Sequence, residues 1–329
     1  MRICYPTREI VNDSSRIGTW TNKHIPVYAA ISTNGFSQLV GYVKNLNSHA
    51  NVLCRGQCDL YESLVPSAKR GNEEDKQRNK SKLDRIIGKL SNDDNLLEYL
   101  GLKKPAIAGW KICEKLIIEA TLQHYGASTY CLDFVDEYRT ALWFGIHRWD
   151  KQSRKYVDRT NEQVVKKSCP ISLATIPREH REYAERIDLD NEKGHMYFIL
   201  YVAETSNSSV NGVYLGNDTY VVDLRRALPS YFLRPCNQCG WIVRGKDEGY
   251  TFEDNIACII RINIELAKKL LGDSSLAEVA SMFPTAKEDE GYRYLLMRQD
   301  GSACNGEYDP IIDRNILDTS FETVSILKD

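Results

Sequence analysis

The sequence predicts an α+β fold, in which a helix-rich N-terminal half packs on a mostly antiparallel sheet formed largely by the C-terminal half. Apolar residues in the first half recur at helical spacing, whereas the second half contains short runs of aromatic and β-branched residues. Helical patterns followed by strand patterns favour α+β over alternating α/β architecture. The expected organisation is an N-terminal extension over residues 1–34, a domain over 35–290, and a C-terminal extension over 291–329 packed on that domain.

The first predicted elements lie within the first sixty residues. Residues 1–30 look irregular, with a turn expected at residues 12–15. A helix is predicted over residues 36–46, because the spacing i, i+3, i+4 and i+7 gives it one apolar face, formed by Phe36, Leu39, Val40 and Val43. A short buried strand is predicted over residues 52–55, and Gly56 should end it.

The middle of the chain contains charged segments and two further predicted helices. Residues 67–89 hold eight Lys or Arg and four Asp or Glu, a density typical of a solvated loop passing into a helix. A second such loop is predicted over residues 151–167. An amphipathic helix over residues 112–122 should run into Gln123, His124 and Tyr125 and break at Gly126, and another helical stripe covers residues 138–149.

The strand-rich second half begins near residue 196. Strands are predicted over residues 196–203, 219–224, 240–244 and 256–262, each rich in aromatic and β-branched residues. A helix over residues 264–271 follows, with Gly272 as its stop signal.

Composition is that of an ordinary globular protein. The chain has 42% apolar and 27% charged residues and a net charge of −2, so no global attraction to nucleic acid or to an anionic membrane is expected. No run approaches the roughly eighteen apolar residues that span a bilayer. The N-terminal residues also lack the apolar core of a signal peptide, so a cytoplasmic location without a membrane partner is expected. The oligomeric state is left open.

The ten cysteines are scattered, which favours reduced thiols over a disulfide framework. Cys236 and Cys239 form a C-x-x-C pair, and a zinc site would need a second pair of ligands. Cys54 and Cys58 are a poor second pair, and the local pattern does not place the motif at the start of a helix as a redox role requires. No metal is therefore expected.

Polar side chains at the edges of apolar segments are the candidate functional groups. Arg55 and Gln57 should share one face of an extended segment, where arginine offers a fork for phosphate or carboxylate. A buried ion pair is the alternative for Arg55. His124 is either structural or catalytic, and Asp133 either caps the helix that starts near Asp136 or pairs with an arginine. The common phosphate-loop, dinucleotide, zinc-protease and serine-hydrolase motifs do not occur.

Five elements resemble the FRG domain family, which is named for an aromatic–Arg–Gly motif. The elements are Arg55-Gly56-Gln57 with residues 64–67, Gln123-His124-Tyr125-Gly126, Thr129 with Leu132-Asp133-Phe134 followed by Ala141 and Phe144, Arg234-Pro235 with Asn237-Gln238-Cys239-Gly240, and residues 281–284. The resemblance spans residues 35–290. The chain departs from the family pattern at Cys54, where the family has an aromatic residue, and at Tyr130, where it has an arginine.

The resemblance implies a nucleotide or NAD bound in a cleft built around Arg55 and His124. Members often look like parts of bacterial or phage defence and toxin systems, and the Arg–Gly strand is similar to the first strand of ADP-ribosyltransferases. By that analogy Arg55 would hold phosphates or ribose, His124 would position the nucleotide, and Gln238 would orient a nucleophile near C1′. The implied ligand-binding residues are Gln57, Gln123, Tyr125, Thr129, Asp133 and Arg234, with Tyr125 stacking on the nicotinamide or base.

Three interpretations stay open at this stage. The first is an NAD-using or nucleotide-using transferase, although glutamine cannot act as a base and the nearest glutamates, Glu248 and Glu253, sit in a Gly/Asp loop. The second is a non-enzymatic sensor that binds a nucleotide, a nucleic acid or a protein target. The third is a buried polar network that only specifies the fold.

Overall fold

The structure, a computed structural model, confirms the α+β class. It describes residues 3–20, 24–102, 110–150, 155–158, 171–172, 194–205, 209–272, 278–296, 299–304 and 307–310. The α-helices are α1 Thr33–Leu46, α2 Glu73–Leu90, α3 Asp94–Tyr99, α4 Trp110–His124, α5 Tyr138–Ile146, α6 Leu224–Ala227, α7 Leu233–Asn237, α8 Ile264–Leu271, α9 Val279–Met282 and α10 Glu290–Leu296. Two 3-10 helices cover Ser67–Lys69 and Phe252–Asn255.

The strands are short and mostly antiparallel. They are β1 Ile10–Val11, β2 Ser14–Trp20, β3 Ile25–Ala30, β4 Asn51–Gln57, β5 Cys131–Val135, β6 His147–Asp150, β7 Lys155–Asp158, β8 Ile171–Ser172, β9 His195–Ala203, β10 Val213–Leu215, β11 Thr219–Asp223, β12 Gly240–Gly245, β13 Ile256–Asn263, β14 Gln299–Cys304 and β15 Glu307–Pro310. No helix in the described ranges combines the length and apolar character needed to cross a bilayer.

The chain divides into two compact units, each assembled from three separate segments. The first unit comprises residues 1–64, 134–206 and 251–277, and the second comprises residues 65–133, 207–250 and 278–329. The predicted bounds of a 35–290 domain and its two extensions remain a prediction.

The first unit is built on strands in the order β1-β2-β3-β13-β9-β4, with β8 also paired to β2. Among these pairs, β3 and β13 run parallel and the others antiparallel. Val135 of β5 pairs with Cys54 on the outer side of β4. Strand β9 is buried from Met196 to Ala203, so it lies in the interior of this unit.

Three helices pack against these strands. Helix α5 contacts β4, β9 and α8, and α1 contacts α8, β3 and β13. Helix α1 begins where the Ser32 hydroxyl accepts a hydrogen bond from the Gly35 amide at 3.0 Å, and α8 begins at an equivalent cap on Asn263. Helix α8 ends at Gly272, whose φ of 69° suits glycine.

The second unit centres on α4, which contacts α2, α6 and strands β10, β11 and β12. These strands are antiparallel in the order β12-β11-β10. Leucines of α2 and α3, the apolar face of α4, and side chains from β10 to β12 form one hydrophobic core. This core holds the C-terminal end of α4 in place, and that end carries His124.

Most predicted elements are confirmed. The buried residues of α1 include the four predicted apolar positions, α8 has the predicted bounds, and β9, β11, β12 and β13 lie where the strand patterns predicted them. The charged segment of residues 67–89 does pass into a helix, α2, whose N-terminus carries a capping box between Asn72 and Asp75.

Several predictions are wrong in detail. The described part of the segment expected to be irregular contains β1, β2 and β3, because pairing of β3 with β13 fixes a segment that has no clear period of its own. The helix predicted over 138–149 ends at Ile146, because Trp149 pairs with Tyr156 in a β6–β7 hairpin. Strands therefore occur throughout the first half of the chain, so the predicted split of helices and strands by halves is not confirmed. Of the loop predicted over residues 151–167, the described part, Lys155–Asp158, is strand β7, and the rest lies outside the described residues.

Candidate functional site

Gly56 lies beneath helix α5 in the first unit. A Cβ atom at this position would lie 1.6 Å from the carbonyl oxygen of Ala141 and 2.8 Å from the amide nitrogen of Gly145. A glycine allows another backbone to approach closely, and the backbone that approaches Gly56 is that of helix α5. Strand β4 continues through Gly56 to Gln57, so the predicted break at this position is wrong.

Arg55 and Gln57 occupy the other face of β4, because side chains alternate along a strand. Arg55 is half-buried, and its guanidinium carbon lies 5.9 Å from the centre of the Phe134 ring, within cation–π range. Gln57 is 8% exposed, and its Oε1 atom is buried with no hydrogen-bond partner among the described residues. This face therefore carries a cation on an aromatic ring next to a buried acceptor.

The aromatic surface beneath Arg55 extends to β9. The rings of Phe134 and Tyr201 have centroids 4.5 Å apart. Near this strand, the Asn255 side chain donates to the Val202 carbonyl at 3.2 Å. Glu253, one of the two glutamates in the predicted Gly/Asp loop, is buried and accepts a hydrogen bond from the Leu64 amide at 2.5 Å. Glu253 thereby ties two segments of the first unit together.

In the second unit, α4 ends in a Schellman motif that presents His124. The Gly126 amide donates to the Gln123 carbonyl at 3.1 Å, and the Ala127 amide donates to the Leu122 carbonyl at 2.9 Å. Gly126 has a φ of 98°, which favours glycine. This glycine serves the helix end, which confirms the predicted break.

A chain of hydrogen bonds links Thr129, Gln123 and Asp133. The Cys131 amide donates to Thr129 Oγ1 at 3.1 Å, the Thr129 hydroxyl donates to Gln123 Oε1, and Gln123 Nε2 donates to Asp133 Oδ2. His124 Nδ1 lies 3.4 Å from Asp133 Oδ1. Of the two roles expected of Asp133, the helix cap is wrong, because Glu137 caps α5 and accepts from the Thr140 amide at 2.8 Å. Pairing of Asp133 with an arginine stays a prediction.

Arg234 and Tyr125 are enclosed in the same unit. The Arg234 guanidinium carbon lies 4.5 Å from the centre of the Tyr125 ring, 4.7 Å from that of Tyr292 and 5.3 Å from that of Phe283. The Tyr125 hydroxyl donates to Asp289 Oδ2 at 2.7 Å, and the Arg234 amide donates to the same oxygen at 3.0 Å. Burial raises the pKa of Tyr125 well above its usual value, and the Asp289 carboxylate raises it further.

Gly240 and Arg234 contact His124, whereas Gln238 is hydrogen-bonded to another segment. Gln238 is 4% exposed, and its Nε2 atom donates to the Met282 carbonyl at 2.6 Å. A Cβ atom at Gly240 would lie 2.8 Å from His124 Cε1, so only glycine leaves room for the ring in its present position. Arg234 Nη1 also donates to the His124 carbonyl at 3.5 Å. The late Arg–Asn–Gln–Gly element thus packs around the end of α4.

The remaining sequence features have structural partners. The Tyr130 amide donates to Glu119, whose carboxylate lies 2.8 Å from Arg244 Nε, and burial raises the pKa of Glu119 despite this arginine. Glu248 is exposed and pairs with Lys80 at 2.6 Å. Within the described ranges, no group of three or more His, Cys, Asp or Glu side chains is placed to hold a metal ion.

Sequence reasoning missed the partners that come from distant parts of the chain. Asp289 and Tyr292 carry no motif, and nothing in their local sequence links them to Tyr125 or Arg234. The contact of Gly56 with α5 did leave a signal, because Ala141 and Gly145 are small residues one helical turn apart.

The predicted site residues fall in both units. Arg55 and Gln57 belong to the first unit, whereas His124, Gln238, Gln123, Tyr125, Thr129, Asp133 and Arg234 belong to the second. Comparison with curated proteins and with solved structures gave no match. The family model of the FRG domain matches residues 50–154, a shorter span than the resemblance implied, which leaves Arg234 and Gln238 outside it. The chain therefore contains an FRG domain, and its matched residues include Arg55, His124 and Asp133.

Proposed function

We propose that this protein binds a nucleotide, with NAD as the candidate, on the face of strand β4 that carries Arg55 and Gln57. The observation that supports the proposal is that a half-buried guanidinium and a buried amide oxygen lie on the same face of one strand. A buried acceptor that lacks a donor costs about 1–3 kcal/mol, and Gln57 Oε1 has no donor among the described residues. A ligand that brings a donor to Oε1 would recover this cost.

The chemistry of the two side chains fits a nucleotide. Arginine binds phosphate through parallel N–H donors, and the Phe134 ring beneath it restricts where the fork can point. Gln57 Oε1 would accept a hydrogen bond from the amino group of a base or from the carboxamide of nicotinamide. Both interactions position a ligand without requiring a proton transfer.

A non-enzymatic binding module is the second candidate. It is favoured by the state of Gln238, the side chain that the transferase interpretation places near C1′, and of Glu253, one of the two nearest glutamates. Both are buried and hydrogen-bonded to the main chain, Gln238 to Met282 and Glu253 to Leu64. In the transferase alternative, the bond between C1′ of the ribose and the nicotinamide nitrogen breaks, nicotinamide leaves, and an acceptor nucleophile bonds to C1′.

Calorimetric titration of NAD into the purified chain tests the binding proposal. Arg55→Gln should weaken binding at least about tenfold, because it removes a charge-assisted contact to phosphate. Arg139→Gln, on the exposed side of α5, is the matched control and should leave the affinity unchanged. Absence of NAD binding by the wild-type chain would refute the proposal.

Two further measurements separate the candidate functions. Release of nicotinamide by the wild-type chain together with attachment of ADP-ribose to a protein or nucleic-acid pool would establish the transferase and exclude the binding module. Thermal denaturation of Arg55→Gln and His124→Gln tests the structural alternative. If both variants unfold under conditions where the Arg139→Gln control stays folded, the polar groups only specify the fold.

Gln57→Met gives an independent check. Removing a buried, unsatisfied amide should keep or raise the melting temperature of the unliganded protein. The same change should weaken NAD binding, because the acceptor is lost. A variant that melts earlier and still binds NAD normally would assign Gln57 to the fold.

A further inference from the structure

A buried arginine in the second unit has two side-chain donors without an acceptor. Arg234 belongs to helix α7 and is 3% exposed. Its Nε and Nη2 atoms are buried and have no hydrogen-bond partner among the described residues. These two atoms form one edge of the planar guanidinium group, and their N–H bonds run parallel, so they can serve both oxygens of a single oxyanion. This edge is therefore a fork that the described part of the protein does not fill.

The buried carboxylate of Asp289 does not fill this fork. Asp289 Oδ2 accepts from the Tyr125 hydroxyl at 2.7 Å and from the main-chain amide of Arg234 at 3.0 Å, and Oδ1 accepts from the Tyr292 amide at 2.8 Å. The guanidinium group makes one long hydrogen bond, from Nη1 to the His124 carbonyl at 3.5 Å. Within the described residues, the positive charge of Arg234 is thus buried without an ion pair, which is costly for a charged group.

Aromatic rings border the guanidinium group of Arg234. Its central carbon lies 4.5 Å, 4.7 Å and 5.3 Å from the ring centres of Tyr125, Tyr292 and Phe283. Each distance is within cation–π range, so the rings stabilise the positive charge. A ring is a weaker hydrogen-bond acceptor than an oxygen, however, so the two N–H groups would still gain from meeting an oxyanion.

We infer that the Nε–Nη2 edge of Arg234 binds the carboxylate group of a small organic acid. A carboxylate has two coplanar oxygens that match the parallel N–H donors, and its single negative charge balances that of the guanidinium group. A phosphate dianion would keep an unbalanced charge beside ring faces that carry negative partial charge. Because the arginine is 3% exposed, a ligand that reaches this edge must be small.

NMR of the 15N-labelled chain tests this inference with a probe that lacks a nucleotide. The Nε–H signal of Arg234 is assigned through its loss in Arg234→Lys. Acetate, inorganic phosphate and chloride are then titrated as sodium salts at equal ionic strength. Acetate should shift the Arg234 Nε–H signal to saturation, and it should bind at least about tenfold more tightly than chloride or phosphate, because it alone pairs with both donors at balanced charge.

Two variants show whether the fork itself is responsible. Arg234→Lys keeps the positive charge but loses the parallel donors, so it should weaken acetate binding at least about tenfold, as followed by main-chain amide shifts. Arg78→Lys is the matched control, because Arg78 lies on α2 in the same unit and its exposed guanidinium pairs with Asp75 at 2.6 Å. This control should leave acetate binding unchanged. If Arg234→Lys does not fold, the wild-type titrations with the three anions decide.

The inference is overturned if the folded wild-type chain shows no saturable shift of the Arg234 Nε–H signal with acetate. It is also overturned if chloride or phosphate binds as tightly as acetate, or if folded Arg234→Lys keeps the affinity for acetate. An equal loss of affinity in Arg78→Lys would assign the effect to general charge and would overturn it too. The affinity for NAD does not enter these outcomes, so this inference and the nucleotide proposal can fail separately.

Discussion

Gly56 illustrates how one residue supports two opposite interpretations. A glycine beside an arginine at a strand end suggests that a ligand approaches the backbone. The sequence alone does not distinguish a ligand from a helix or strand that packs at the same place. The structure shows that α5 occupies the space, with the Ala141 carbonyl where a side chain would begin. Any ligand contact made by this motif would therefore come from Arg55 and Gln57, on the opposite face of the strand.

Replacing Gly56 by alanine should be among the most destabilising single changes in the first unit. The added methyl group would collide with the backbone of α5, which cannot move away as a flexible side chain could. We expect a loss of more than about 3 kcal/mol in the free energy of unfolding, measured by urea denaturation. Gly41→Ala, on the exposed face of α1 with no atom near the new Cβ, should instead stabilise by about 0.5–1 kcal/mol. Equal effects of the two changes would contradict the packing argument.

His147 gives a second prediction at the residue scale. Burial lowers the pKa of His147, while its hydrogen bond to the Trp143 carbonyl and the nearby Asp158 oppose the shift and Lys268 adds to it. The unfolded chain thus binds a proton more readily than the folded one, so stability contributed by neutral His147 is present above about pH 6.5 and is lost as the pH falls below it. His147→Gln should flatten the fall in unfolding free energy between about pH 6.5 and 5.5, as urea denaturation at several pH values would show.

At the scale of elements, sequence patterns predicted those helices and strands whose bounds depend on neighbouring residues. They failed for elements whose bounds depend on pairing with distant strands. Helix α8 was predicted to the residue, because its stop signal, Gly272, lies directly after its last residue. Strand β2 was missed, because its partners β3 and β8 supply the pairing that its polar sequence does not suggest. Trp149 fitted the helical stripe of α5, yet its pairing with Tyr156 in the hairpin prevails.

The enclosure of Tyr125 leads to a prediction about how the end of α4 is held. Tyr125→Phe keeps the ring under Arg234 but removes the donor to Asp289, a residue with no exposed surface. We expect a loss of about 1.5–3 kcal/mol in unfolding free energy, because a hydrogen bond to a buried carboxylate disappears. Tyr99→Phe, on a half-buried ring stacked against Tyr294, should cost much less.

The same variant tests the expected stacking of Tyr125 on a nicotinamide or base. An enclosed ring cannot offer its face to a ligand, so Tyr125→Phe should change the affinity for NAD less than about twofold in calorimetric titrations at a temperature where it is folded. A phenylalanine would stack equally well, so Tyr125→Leu is the stricter comparison. A selective loss of NAD affinity in Tyr125→Leu, at a stability matched by another core variant, would restore the stacking role.

For the whole molecule, the sequence predicted the fold class and the residue types of the candidate site but not their surroundings. Arg55, Gln57, His124 and Asp133 stood out because they are polar groups next to apolar segments and glycines. The burial of His124 and the enclosure of Tyr125 depend on segments more than 100 residues away, those that carry Gly240 and Asp289. No local pattern encodes such contacts, so ligand-facing and structural polar residues look alike in the sequence.

The salt dependence of binding would distinguish a nucleotide from a nucleic acid as the ligand. The chain has 43 basic and 45 acidic residues, and the basic residues of the 67–89 segment are partly neutralised by acidic neighbours, as in Lys76–Glu73, Arg78–Asp75 and Lys80–Glu248. A nucleic acid bound through six or more phosphates would lose about a thousandfold in affinity between roughly 50 and 200 mM salt. Binding of NAD through one arginine should lose less than about tenfold over that range, as calorimetry at several salt concentrations would show. A steep salt dependence, together with tighter binding of an oligonucleotide than of NAD, would instead identify a nucleic-acid partner.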